Sequence, residues 1–194
     1  MFIEPHIGAQ KRGWIEIICG SMFSGKTEEL LRRLRRAMIA NKTVKIFKPA
    51  VDTRYHETNI TSHDRNALRA IAVNHSSQIA EQTEGAEVIA IDEAQFFDDA
   101  LPDVCEQLAL HGIRVIVAGL DLDFRGQPFG PMAQLLARAE YITKLHAICM
   151  VCGNIASRSF RKVASPERVV LGEMDIYEPR CRVCFEKGIK QNES

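Results

Sequence analysis

The run Gly20-Ser-Met-Phe-Ser-Gly-Lys-Thr27 constrains this chain more than any other stretch of it. It fits the pattern Gly-x-x-x-x-Gly-Lys-Thr, in which glycines let the backbone wrap around phosphate oxygens, while successive N–H groups and a helix N-terminus point at negative charge. In that pattern Lys26 reaches the β- and γ-phosphates and Thr27 offers its hydroxyl to Mg²⁺. Gly20, Ser21, Met22, Phe23, Ser24, Gly25, Lys26 and Thr27 therefore form the candidate nucleotide loop. The motif needs a strand before it and a helix after it. Residues 14–19 are a strand-length apolar run, and residues 27–40 read as the helix.

The rest of the chain extends this start into an α/β fold. Residues 44–47, 88–91 and 114–118 are short Val- and Ile-rich runs; the last two lack alternation, as expected of parallel strands covered on both faces. Helices are expected over 98–111 and 131–139, the second with Pro131 at its first helical position. Residues 141–145 can close the sheet. Residues 48–66 are long, polar and without apolar periodicity, so they read either as a functional loop or as a hairpin. At 194 residues there is room for one such core and a small module, giving an N-terminal extension (1–13), a nucleotide-binding domain (14–145), a cysteine-bearing domain (146–185) and a tail (186–194).

A phosphate loop needs a second metal ligand at the end of a buried strand, and Asp92 follows Val88-Ile-Ala-Ile91. Glu93 comes next. On an extended backbone, side-chain alternation turns it away from the metal and toward an acceptor, where a phosphoryl-transfer enzyme needs a base. Asp92-Glu-Ala-Gln95 also resembles ATPase and helicase boxes, so a P-loop ATPase acting on nucleic acid through the cysteine module is the competing reading. Against it, 25 basic residues balance 25 acidic ones, leaving no cationic track for a nucleic-acid backbone. The Arg32-Arg33-Leu34-Arg35-Arg36 run reads mostly as a solvated helix face. No apolar run reaches the ~20 residues of a membrane span, and residues 1–12 lack the apolar stretch of a secretory signal. The expectation is a cytoplasmic protein with small-molecule partners, no nucleic acid and no membrane.

Four of the six cysteines form two Cys-x-x-Cys pairs, Cys149/Cys152 and Cys181/Cys184. Two such knuckles suit a closed tetrahedral Zn²⁺ site, with a redox dithiol as the alternative. Zinc there pins residues 153–180 into a loop that can act as a lid excluding water from phosphoryl transfer. Cys19 and Cys105 are left as buried thiols.

Taken in order, the motifs resemble those of type II thymidine kinases. They are Gly20 to Leu30, Lys48-Pro-Ala-x-Asp52-x-Arg54-Tyr55, Ser62-His63-Asp64, Asp92-Glu-Ala-Gln-Phe-Phe97, Gly119-Leu-Asp-x-Asp-Phe124, Pro128-Phe129 and Tyr177-Glu-Pro-Arg-Cys181-Arg-x-Cys184. The resemblance implies a P-loop, RecA-like parallel sheet with flanking helices, joined to a small zinc-ribbon-like lid. It implies transfer of the γ-phosphate of ATP to the 5′-hydroxyl of thymidine or deoxyuridine, with Mg²⁺ and structural Zn²⁺, and Glu93 as general base. Lys26, Thr27, Asp92 and Gln95, with Asp52 and Arg54, fall in its nucleotide-binding positions. Met22, Phe96, Leu120, Phe124 and Phe129 fall in its apolar nucleoside pocket, while Phe97 reads as core. Ser159, Val170, Leu171, Gly172 and Tyr177 fall at its thymine-facing lid positions. The family is usually a homotetramer controlled by thymidine triphosphate. Ser159 replaces the usual threonine, and Glu173 stands where many members have glycine. No physical role for His63 or Asp64 follows from the sequence.

Overall fold

The computed structural model describes residues 12–50, 59–60, 68–163 and 175–192. It runs through β1 (Trp14–Gly20), α1 (Lys26–Ile39), β2 (Val44–Pro49), β3 (Asn59–Ile60), β4 (Leu68–Arg69), β5 (Ile71–Val73), α2 (Ser77–Glu81) and β6 (Val88–Ile91). A 3-10 turn, Ala94–Phe96, leads to α3 (Leu101–Leu110), β7 (Arg114–Gly119), α4 (Met132–Arg138) and β8 (Tyr141–Leu145). Then follow β9 (Ala147–Ile148), β10 (Ile155–Ala156), β11 (Arg158–Arg161), β12 (Tyr177–Arg180) and α5 (Arg182–Asn192).

Six strands form one sheet in the order β5-β2-β6-β7-β1-β8, each pair of neighbours parallel. Alternation along the strands divides the core between two faces. Ile15, Ile17, Ile89, Ile91, Val115 and Val117 pack against α3 and α4 through Leu101, Cys105, Leu108, Met132 and Leu135. Ile18, Ala90, Ile116 and Ala118 meet Leu30, Leu31, Leu34 and Ala37 of α1 on the other. After β8 the pairing changes to short antiparallel hairpins, β9 with β10 and β11 with β12. Cys19 and Cys105 are buried, as expected. Among the described residues no helix is long and apolar enough to cross a membrane.

The expected strands are present, and three of them run one or two residues further. The 48–66 stretch contributes β3, paired antiparallel with β4, so a hairpin is part of its solution. The sequence reading missed β5, a three-residue edge strand, and the short α2. It started α3 early because Asp98 is committed elsewhere: its carboxylate accepts hydrogen bonds from the Ser76 N–H and hydroxyl and from the Ala100 N–H. Pro131 is the residue before α4 rather than its first helical residue.

The arginine run corrects the sequence reading more sharply. Arg35 and Arg36 are exposed, but Arg33 is fully buried on the α1 face of the sheet. Its guanidinium bonds Glu16 at 2.8 Å, Glu29 at 2.8 Å and the Thr143 hydroxyl at 2.8 Å. Glu16, also fully buried, accepts from Arg114 at 2.6 Å and from the Trp14 indole at 2.6 Å. A carboxylate at an inward position of a buried strand requires a cationic partner, and Glu16 was the sequence signal for Arg33.

Hydrogen bonds from Arg32 and then Arg33, working against burial, lower the Glu29 carboxyl from 4.5 to about 2. A carboxylate depressed in the folded state adds stability above its unfolded value, and that stability is lost as pH falls toward the folded value. Denaturant unfolding between pH 4.5 and about 2 should therefore show a loss of stability that Glu29→Gln reduces. An identical pH slope in the variant would contradict the assignment.

Candidate active site

The phosphate loop leaves the C-terminal end of β1, and α1 begins after Gly25, whose φ of 84° is left-handed. Lys26 folds back so that its ammonium donates to the Ser21 carbonyl at 2.9 Å. Burial lowers the Lys26 pKa, opposed by the carboxylates of Glu93, Asp92 and Asp121 in that order. The Ser21 and Ser24 hydroxyls are buried, with no hydrogen-bond partner among the described residues. Buried hydroxyls beside an ammonium and a helix N-terminus suit an oxyanion-rich ligand, so the loop's chemistry fits a triphosphate.

Asp92 and Glu93 follow β6 directly, and β7 separates β6 from β1. Asp92 is 8% exposed, and its Oδ1 accepts the Glu93 N–H at 2.9 Å. Glu93 is not on extended backbone, as alternation along the strand had implied. Its φ of 51° and ψ of 40° are left-handed, so a turn, not a pleat, sets its direction. Gln95 is 2% exposed; its Nε2 donates to Glu93 Oε2 at 2.5 Å, and its Oε1 accepts the Leu120 N–H at 2.9 Å.

The apolar candidates meet in small sets. Phe96 and Phe129 pack edge to face with centroids 5.5 Å apart, and Phe97 is buried in the core. The Met22 N–H donates to Ser159 Oγ at 3.0 Å, tying the phosphate loop to β11. Phe124 lies under the Arg161 guanidinium at 3.5 Å, and the same group donates to the Tyr177 hydroxyl at 3.1 Å. Asp52, Arg54, Val170, Leu171 and Gly172, with His63, Asp64 and Glu173, lie outside the described residues.

The sequence reading missed two buried groups here. Arg161, 4% exposed, falls in none of the sequence motifs. Asp121, 6% exposed, pairs through Oδ2 with Lys144, and its buried Oδ1 has no hydrogen-bond partner among the described residues. An aspartate two residues past a Val/Ile strand, inside the Gly119 to Phe124 motif, was the available signal for the second.

The Sγ atoms of Cys149, Cys152, Cys181 and Cys184 all lie within 4.8 Å of one another, and Cys152 and Cys181 are 3.6 Å apart. Zinc–sulfur bonds of about 2.3 Å place tetrahedral sulfurs ~3.8 Å apart, so the cluster fits Zn²⁺. Burial raises the Cys149 thiol, but backbone N–H groups of Cys181, Val151 and Cys152 bring it down to about 6. Hydrogen bonds that the Cys184 thiol donates to the Cys152 and Cys181 sulfurs push it up to about 12.

The family model described as thymidine kinase matches residues 13–185. The thymidine kinase of Rhodothermus sp. is 61% identical over 174 residues, 90% of this chain and 82% of the relative. That of Porphyromonas gingivalis is 56% identical over 182 residues, 94% and 89% of the two chains. That of Bacteroides thetaiotaomicron is 55% identical over 186 residues, 95% and 94% of the two chains. The solved flagellar accessory protein FlaH from Methanocaldococcus jannaschii overlays at a TM-score of 0.48 and 15% identity, covering 74% of this chain and 75% of that one, too distant to bear on fold or role. Identity of this order along almost the whole length admits one conclusion, that the chain belongs to the thymidine kinase family.

Proposed function

We propose that this chain transfers the γ-phosphate of ATP to the 5′-hydroxyl of thymidine or deoxyuridine, making the monophosphate for nucleotide salvage and DNA synthesis. The observation that carries this reading is the placement of Asp92-Glu93 beside the loop that holds Lys26, with only β7 between their strands and membership of the family behind it. The Ser21 and Ser24 hydroxyls and the loop N–H groups bind the phosphates, and Lys26 neutralises them. Thr27 and Asp92 are the residues to hold Mg²⁺, which when bound offsets phosphate charge. Glu93 takes the proton from the nucleoside hydroxyl as that oxygen bonds to phosphorus, because an alcohol is too weak an acid to ionise beforehand.

On this reading residues 14–145 are the kinase domain and 146–185 the zinc-pinned lid. Met22, Phe96, Leu120, Phe124 and Phe129 wall the base, with Ser159, Val170, Leu171, Gly172 and Tyr177 over it. A flat pyrimidine needs such apolar walls with polarity confined to its edges. Asp52, Arg54 and Gln95 belong to the nucleotide side. The family resemblance also supports a cytoplasmic homotetramer under feedback by thymidine triphosphate, which light scattering and an inhibition curve test directly.

The deciding experiment supplies Mg-ATP with thymidine and looks for thymidine monophosphate by chromatography. Absence of that product, together with ATP hydrolysis stimulated by DNA or RNA, would instead support the nucleic-acid ATPase. For the lid, Cys181→Ser is expected to abolish zinc binding, measured by elemental analysis, and to raise the thymidine KM before the core unfolds. Unchanged zinc content would refute the four-thiolate site.

A further inference from the structure

Glu93 ends a flexible side chain on backbone that a non-glycine residue disfavours, yet a general base must hold its oxygen steady against the acceptor. The residue two positions on is built into a slot that can supply this steadiness. One end of the Gln95 carboxamide meets the Leu120 N–H at 2.9 Å, and the other meets the Glu93 carboxylate. The Leu120 N–H can only donate, so Oε1 must face it and the NH₂ group must face Glu93. Both ends of the amide are thus matched, and Gln95 itself is 2% exposed.

Two glycines make the slot. A Cβ at Gly119 would come within 2.9 Å of Gln95 Oε1 and 2.8 Å of Met132 Sδ. Gly130 has a φ of 51°, and a Cβ there would lie 2.3 Å from the Gln95 carbonyl oxygen. Side chains at either place would move the main chain of Gln95 or its amide. The 3-10 turn completes the frame, with the Phe96 N–H donating to the Glu93 carbonyl at 3.1 Å.

We propose that Gln95 is the positioning residue of the base, its carboxamide tying the Glu93 carboxylate to the Leu120 N–H at the end of β7. This rests on the reading of Glu93 as the general base. Gln95 then acts through Glu93, by fixing where that carboxylate stands. Because Leu120 is also assigned to the wall of the nucleoside pocket, the same amide registers the base against that wall.

The test is a double-mutant cycle on the intact, zinc-loaded enzyme: wild type, Glu93→Gln, Gln95→Met and the double variant. Methionine keeps the length of the side chain and removes both hydrogen bonds. For each protein, kcat and the thymidine KM are measured at saturating Mg-ATP, and thymidine Kd by calorimetry. Gln95→Met is expected to lower kcat about 10- to 100-fold with KM and Kd within about threefold. The double variant is expected to be no more than about twofold slower than Glu93→Gln alone, since a misplaced base costs nothing once the base is gone. Full multiplication of the two losses would overturn the proposal, as would a Gln95→Met defect confined to KM. If Glu93→Gln itself leaves kcat intact, the assignment of the base has failed and the proposal falls with it, a separate and recognisable result. Should Gln95→Met not fold, the cycle is run with Gln95→Glu. That variant keeps an acceptor for Leu120 and sets a carboxylate against Glu93, and the same outcomes decide.

Discussion

Glu93→Gln is expected to lower kcat by about 10²- to 10⁴-fold, the usual contribution of a positioned general base. Glutamine keeps the size of the side chain and an acceptor oxygen that the Gln95 amide can still hold. It removes only the ability to take a proton from the attacking hydroxyl. Affinity for ATP, measured by calorimetry, should change by no more than about threefold, because the phosphates are held by the loop and Lys26. The variant also takes away the carboxylate that most strongly opposes the lowering of the Lys26 pKa, although Asp92 and Asp121 remain beside it. Turnover close to wild type would remove Glu93 from the mechanism. A large loss of ATP affinity with unchanged kcat would make it a binding residue instead.

The second large effect is on stability and lies on the α1 face of the sheet. Glu16→Ala removes the carboxylate that Arg33 and Arg114 share at 2.8 and 2.6 Å inside the core, leaving Arg33 with Glu29 and the Thr143 hydroxyl. Breaking a buried ion pair from one side costs about 3–5 kcal/mol, mostly through the uncompensated charge left behind. In a chain of this length each kcal/mol lowers Tm by roughly 2–4 °C, so calorimetry should record a fall on the order of 6–20 °C. Arg33→Met should cost less, because Glu16 keeps Arg114 and the Trp14 indole as partners. If Arg33→Met proved the more damaging, Glu16 would not be the centre of the network.

The central layout was readable from residue pattern because its causes are local. A glycine-bounded loop between an apolar strand and a helix, two unbroken Val/Ile runs and two Cys-x-x-Cys pairs each carry their own signal. What escaped was set by tertiary partners. Arg33 resembles its solvated neighbours until Glu16 is seen facing it across the layer. β5 has only Ile71 to Val73 to announce it, too few residues for a period. The direction of Glu93 was inferred from strand alternation, but the strand ends at Ile91 and a left-handed turn intervenes. The bond of Gln95 to the Leu120 N–H, 25 residues away, has no sequence signature.

The place of β7 between β1 and β6 has a consequence for how variants of this enzyme will read. Hydrogen-bonded strands stand about 4.8 Å apart, so two such steps hold the backbones of β1 and β6, from whose ends the phosphate loop and the Asp92-Glu93 pair continue, roughly 10 Å from each other. The span is a ruler made of backbone, with room along it for a phosphoryl group and the oxygen that attacks it. Side-chain substitutions at either end leave the ruler's length alone. Rate changes at Lys26 or Glu93 are therefore read against a fixed spacing of the strands that carry them.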